Sequence, residues 1–130
     1  MLKQSQAFTL MEIMLVVIII GVIATVAMPS YQLALERTHS AEGVQMLGSL
    51  HDAIKIFYFE QESLPTSMGN LQITFSGIQY FSDPVLPGTK DSIAEVTRVG
   101  GVTSYDLGIS LEGDIYCDST PLSYCSRLGY

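Results

Sequence analysis

The sequence predicts an α+β protein: one long, kinked N-terminal helix, apolar in its first half and amphipathic in its second, packed on a small antiparallel sheet. Three observations carry this. The 23 residues from Ile13 to Leu35 hold no charge. From Tyr31 onward, apolar residues recur at three- and four-residue steps, the period of a helix with one buried face. After Glu60 the chain changes to short alternating runs separated by Gly- and Pro-containing turns, which mark strands.

Residues 1–7 form a short polar leader with one positive charge, Lys3. Residues 8–29 make the apolar half of the helix, interrupted by Thr9, Glu12 and Thr25. At about 1.5 Å per residue, Ile13 to Leu35 reaches roughly 35 Å, enough to cross a bilayer core of about 30 Å. Residues 30–60 form the amphipathic half. Its stripe is Tyr31, Leu35, Ala41, Val44, Leu47, Leu50, Ile54 and Phe57, with Arg37, Glu42, Gln45, Asp52 and Lys55 on the other faces. The whole helix is expected from near Phe8 to near Tyr58. Pro29 cannot donate to the Thr25 carbonyl and should kink it. Gly21 costs about 1 kcal/mol relative to Ala. Both defects are tolerable where water cannot compete for backbone groups.

Residues 61–130 supply the sheet. Strands are expected at Gln72–Phe75, Ala94–Val99, Ser104–Ile109 and Asp114–Cys117, with turns at Ser63-Leu64-Pro65, Asp83-Pro84, Pro87-Gly88, Gly100-Gly101 and Glu112-Gly113. Gly100-Gly101 lies between two alternating runs and predicts a hairpin. Below it the chain ends in a loop bounded by Cys117 and Cys125.

Composition narrows the function. The chain of 130 residues suffices for one compact domain. Its net charge of −7, from six Lys+Arg against thirteen Asp+Glu, lacks the cationic surplus that phosphate backbones demand, so no nucleic-acid partner is predicted. No Ser/His/Asp, Cys/His or phosphate-loop pattern is present, so neither an enzyme nor a cofactor is expected. Cys117 and Cys125 lack C-x-x-C spacing and a nearby histidine, which argues against zinc. Behind a membrane segment, a disulfide in an oxidising compartment is the simpler reading, with two free buried thiols as the alternative. The bridge would close a loop worth roughly 2.5 kcal/mol in chain entropy. His39 and His51 lie twelve residues apart, lack the spacing of a metal pair, and are expected to be surface or sheet-facing.

The run Ala7-Phe8-Thr9-Leu10-Met11-Glu12-Ile13-Met14-Leu15-Val16-Val17 resembles the processing and assembly signature of type IV pilins and their relatives, the pseudopilins. Gly21, Pro29 and Tyr31 also fall where such proteins commonly carry Gly, Pro and Tyr. The resemblance covers about the first 35 residues; beyond Glu36 it is one of architecture. It implies insertion in the inner membrane, cleavage between Ala7 and Phe8 by a prepilin peptidase, and N-methylation of Phe8. It further implies polymerisation with identical subunits through the N-terminal helix, driven by pilus assembly machinery. Ala7 stands where the family usually has Gly; alanine is the next smallest side chain, so cleavage is still expected.

Glu12 is the central residue of that reading. A carboxylate in an apolar membrane helix costs roughly 2.5–3.5 kcal/mol, partly offset by the positive end of the helix dipole. The resemblance implies that it attracts the Phe8 amino terminus of an adjoining subunit. The plainer alternative is a solvated acid at the membrane edge. Glu112, Asp114 and Asp118 are close in sequence, as are the calcium ligands in the C-terminal loops of some pseudopilins. Spacing alone carries little, and no metal site is predicted. The leading expectation is a pilus subunit, favoured over a type II secretion pseudopilin by the C-terminal cysteine pair. A signal-anchored or secreted globular binding domain, cut after Thr25-Val26-Ala27, is the reading from another class. Against it stand the length of the apolar run, the acid inside it and the single leader charge.

Overall fold

The computed structural model describes residues 8–101, 103–121 and 123–130. The leader, with Lys3 and Ala7, lies outside the described residues. The chain divides between Ala34 and Leu35 into two compact units, and one helix, α1 (Leu10–Gln61), supplies residues to both.

The first unit is helix alone. Thr9 opens it: the Glu12 amide donates to the Thr9 carbonyl at 3.1 Å and to Thr9 Oγ1 at 3.3 Å, satisfying an amide that a helix start leaves without a partner. Every residue from Phe8 to Gln32 is exposed. α1 continues through Pro29 without interruption.

The second unit has the chain's core. Its strands are β1 (Ala94–Thr97), β2 (Tyr105–Ile109) and β3 (Ile115–Ser119), antiparallel in the order β1-β2-β3. Register runs from Ala94 opposite Ile109 and from Tyr105 opposite Ser119. Both hairpins turn at predicted places, around Gly100-Gly101 and Glu112-Gly113. Gly113 sits at φ +104°, a backbone conformation that side chains disfavour, and its amide closes the turn onto Ser110 O at 3.1 Å. Alternation aims Ala94, Val96, Tyr105, Leu107 and Ile109 at α1, which answers with Met46, Leu47, Leu50 and Ile54, the last three with no exposed area. Burying each such aliphatic side chain contributes about 1.5–3 kcal/mol.

The structure corrects several expectations. Gln72–Phe75 is not a strand: none of its four residues is buried, and no ladder forms there. Instead, residues 80–85 run beside β1, with bridges Phe81–Arg98 and Val85–Glu95. Their bonds, such as Val85 N to Glu95 O at 2.8 Å, cover the edge that β1 would otherwise expose. The apolar stripe is also rotated. Tyr31, Leu35 and Ala41 are exposed, while Ser40 and Gly43 are buried. Close approach explains the substitution: a Cβ at Gly43 would lie 2.8 Å from Phe81 Cζ and 3.0 Å from Leu107 Cδ1. The helix ends three residues late, at Gln61, where Glu62 takes φ +51° and its amide reaches Tyr58 O at 2.9 Å. Finally, the Cys-bounded tail holds a helix, α2 (Ser123–Leu128). Gly129, at φ +108°, and Tyr130 both donate to Cys125 O, a C-terminal cap.

Candidate functional site

Two carboxylates on α1, Glu12 and Glu36, occupy opposite environments. Glu12 is the third residue of the helix, four residues after Phe8, and both are exposed. Thr9 and Glu12 also have the T-x-x-E spacing of a capping box, a local reason for an acid here. Around them Leu10, Met11, Ile13, Met14 and Leu15 are 51–81% exposed. The result is one anion at the head of an uncovered apolar rod. Its helix is long and apolar enough to cross a membrane. A Cβ at Gly21 would meet nothing within 4 Å, so no packing among the described residues requires a glycine there. Thr25 Oγ1 bonds back to Val22 O at 2.7 Å, satisfying its hydroxyl without solvent.

Glu36, by contrast, is enclosed. Arg98, 6% exposed, donates Nε to Glu36 Oε1 at 2.5 Å and Nη2 to Oε2 at 3.2 Å. Its Nη1 reaches the Tyr80 carbonyl at 2.9 Å and also the Val99 carbonyl. Tyr105 donates its hydroxyl to Glu36 Oε1 at 3.1 Å. His39 stacks on Tyr80 with ring centroids 3.9 Å apart, and its Nδ1 lies 3.1 Å from Arg98 Nη2. Burial pushes the Glu36 carboxyl up, but the bonds and charge of Arg98, with Tyr105 and His39, outweigh it and hold the pKa below the ordinary value. The Glu36 bond raises Arg98 in turn. Nothing local in the sequence pairs Glu36 with Arg98, 62 residues away.

Other predicted residues fall into place around these. Glu42 Oε1 accepts the amides of Gln79 and Tyr80 at 2.8 and 3.2 Å, holding the loop that carries Tyr80. His51 Nε2 contacts Leu111 O at 3.2 Å, which docks the β2–β3 turn on α1. Cys117 and Cys125 are joined in a disulfide with Cα atoms 5.7 Å apart, tying β3 to α2. Arg37 Nη2 bonds Arg127 O at 2.8 Å and Tyr130 OH bonds Ser40 Oγ at 3.3 Å, anchoring the tail on α1. Glu112, Asp114 and Asp118 do not gather: no group of three or more such ligands exists among the described residues.

An uncovered apolar helical unit and a sheet-backed head with a disulfide-tied tail are the parts expected of a filament subunit. No family model and no solved structure matches the chain. Its relatives among characterised proteins are fimbrial. Over 116 residues it is 32% identical to the fimbrial protein EcpC of Eikenella corrodens, covering 85% of this chain and 75% of that one. It is 27% identical over 111 residues to the type IV major fimbrial protein FimA of Dichelobacter nodosus, covering 85% and 69%. A fimbrial protein of Pseudomonas aeruginosa is 30% identical over 96 residues, 74% and 62% of the two chains. With a fold and relatives that agree along most of its length, the chain belongs to the type IV pilin family.

Proposed function

We propose that this protein is a structural subunit of a type IV pilus, held in the inner membrane by the first half of α1 and polymerised through it. One observation carries this: in a chain of the pilin family, every residue from Phe8 to Gln32 is exposed, and most are apolar. That surface needs an apolar surround, and two serve in succession, the bilayer and the packed helices of a fibre. Both bury the rod by the hydrophobic effect, so moving between them need not be steeply uphill.

Glu12 supplies the register. Cleavage between Ala7 and Phe8 creates a positive amino terminus within a turn of it, and N-methylation of Phe8 keeps that charge. A carboxylate and an ammonium that both lie in a dry surround gain strongly by meeting, so Glu12 of one subunit takes the Phe8 terminus of another. The relatives are named as fimbrial proteins, which favours a pilus over a secretion pseudopilus. A prepilin peptidase and assembly machinery are the partners this route requires.

The test is Glu12→Gln in the full chain. Membrane content should stay at the parent level while sheared filament falls by tenfold or more, the scale of losing a desolvated charge pair, about 1.4 kcal/mol or above. Mass spectrometry of parental filament should find methyl-Phe8 at the terminus. Normal fibre from the variant, or an intact leader in assembled material, would refute the proposal.

A further inference from the structure

We infer that the second unit, the head, also docks on a second copy of itself end to end, with Arg37 and Arg127 of one copy meeting Asp52, Glu112 and Asp114 of the next; this rests on the pilus reading and adds an interface to it. From Leu35 on, the sequence holds twelve acids and five bases, which carries the whole chain's −7 because Lys3 and Glu12 cancel. Heads so charged repel when crowded in a fibre, and a contact forms most readily where cations are placed to meet acids. Of the five bases, Arg98 is spent on Glu36, and Lys55 and Lys90 lie toward the far end of α1, Lys90 over the Tyr58 ring.

Arg37 and Arg127 are different. The Arg37 guanidinium bonds the Arg127 carbonyl, which sets two exposed arginine residues side by side where the head begins. The nearby acids Asp106 and Asp118, opposite each other on β2 and β3, alternate with core-facing Tyr105 and Leu107 and so point to the sheet's far side. At the distal end, the His51–Leu111 contact sets the β2–β3 turn beside Asp52. Asp52 is 83% exposed, and Glu112 and Asp114 are exposed as well. Lys55, three residues past Asp52, and Lys90, whose carbonyl accepts the Leu111 amide at 2.9 Å, set two bases against these three acids and leave that end net negative. Arg37 to Asp52 spans fifteen residues of α1, about 22 Å of rise.

Opposite charges at opposite ends of one unit make a contact that repeats from copy to copy. Such a heterologous contact builds an open fibre where its rotation does not close, whereas like ends repel and disfavour a two-fold pair.

The experiment reverses exposed charges in the full chain: Arg127→Glu, Glu112→Arg, and both together. Each single change should lower sheared-filament yield about twofold to fivefold, the range that exposed ion pairs permit. Parental filaments should dissociate more readily as sodium chloride rises, and the double variant should recover yield and salt response. Should a single variant lose its folded head by tyrosine fluorescence, Arg127→Gln replaces it, with a smaller loss expected. Single variants with parental yield and salt response, or a double variant no better than the singles, would overturn the inference while leaving the pilus reading intact. Parental chain that forms no fibre would overturn the pilus reading itself.

Discussion

The two units of this chain solve the burial problem in opposite ways. The head encloses its own apolar surface: Leu47, Leu50 and Ile54 have no exposed area, and the charge it encloses, Glu36, is met by Arg98, Tyr105 and His39. Among the described residues the first unit encloses nothing: Ile13 to Val26 stand open, and Glu12 makes helix-start bonds to Thr9. One helix carries both patterns. What separates them, among the described residues, is whether an element of the same chain faces the helix. A region finished internally should respond to mutation as stability, and an unfinished one as assembly.

The largest expected effect tests the finished side. Arg98→Met fills much of the same volume but strands Glu36 and the Tyr80 and Val99 carbonyls. Breaking a buried pair by removing one partner costs about 3–5 kcal/mol, so denaturant unfolding followed by tyrosine fluorescence should shift by that amount. A shift under about 1 kcal/mol would mean that water already reaches Glu36. Second in size is a matched pair on the one helix. Leu50→Ala should destabilise the head by about 2–5 kcal/mol through lost burial and the cavity left behind. Ile19→Ala, half exposed in the isolated chain, should leave that unfolding within about 0.5 kcal/mol and appear only in fibre yield. Equal effects from both would erase the distinction between the units.

How much of this was legible in the sequence follows from the range of each interaction. The long helix was readable because its apolar run and three-to-four periodicity are local, and the two hairpins because Gly100-Gly101 and Glu112-Gly113 mark them locally too. The face of the helix was misassigned at Ser40 and Gly43, since pattern reading ranks residues by apolarity while the sheet's close approach selects for small size. Gln72–Phe75 alternates like a strand but has no neighbouring strand to pair with, and pairing is not visible in a single segment. α2 was missed although Arg127 in its last turn and Gly129 just beyond are C-terminal signals; six residues are too few for a period. Glu12 was legible as a lone acid in an apolar run. Glu36 was not, because its partners lie 62 and 69 residues on.

The smallest effect sharpens the comparison without changing the shape of the head. Since the folded head holds the Glu36 carboxyl below its ordinary value of 4.5, the unfolded chain binds its proton first as pH falls. The associated stability is therefore fully present above about 4.5 and drains away as pH drops through the folded value. The loss should be smaller than for Arg98→Met, because a protonated Glu36 still accepts hydrogen bonds from Arg98 and Tyr105 and leaves no carboxylate stranded. Unfolding measured at intervals between about pH 6 and pH 3 should show this decline, and Glu36→Gln should flatten it. A decline that survives Glu36→Gln unchanged would put the titrating group elsewhere in the head and leave the Arg98 pair without a part in the acid response.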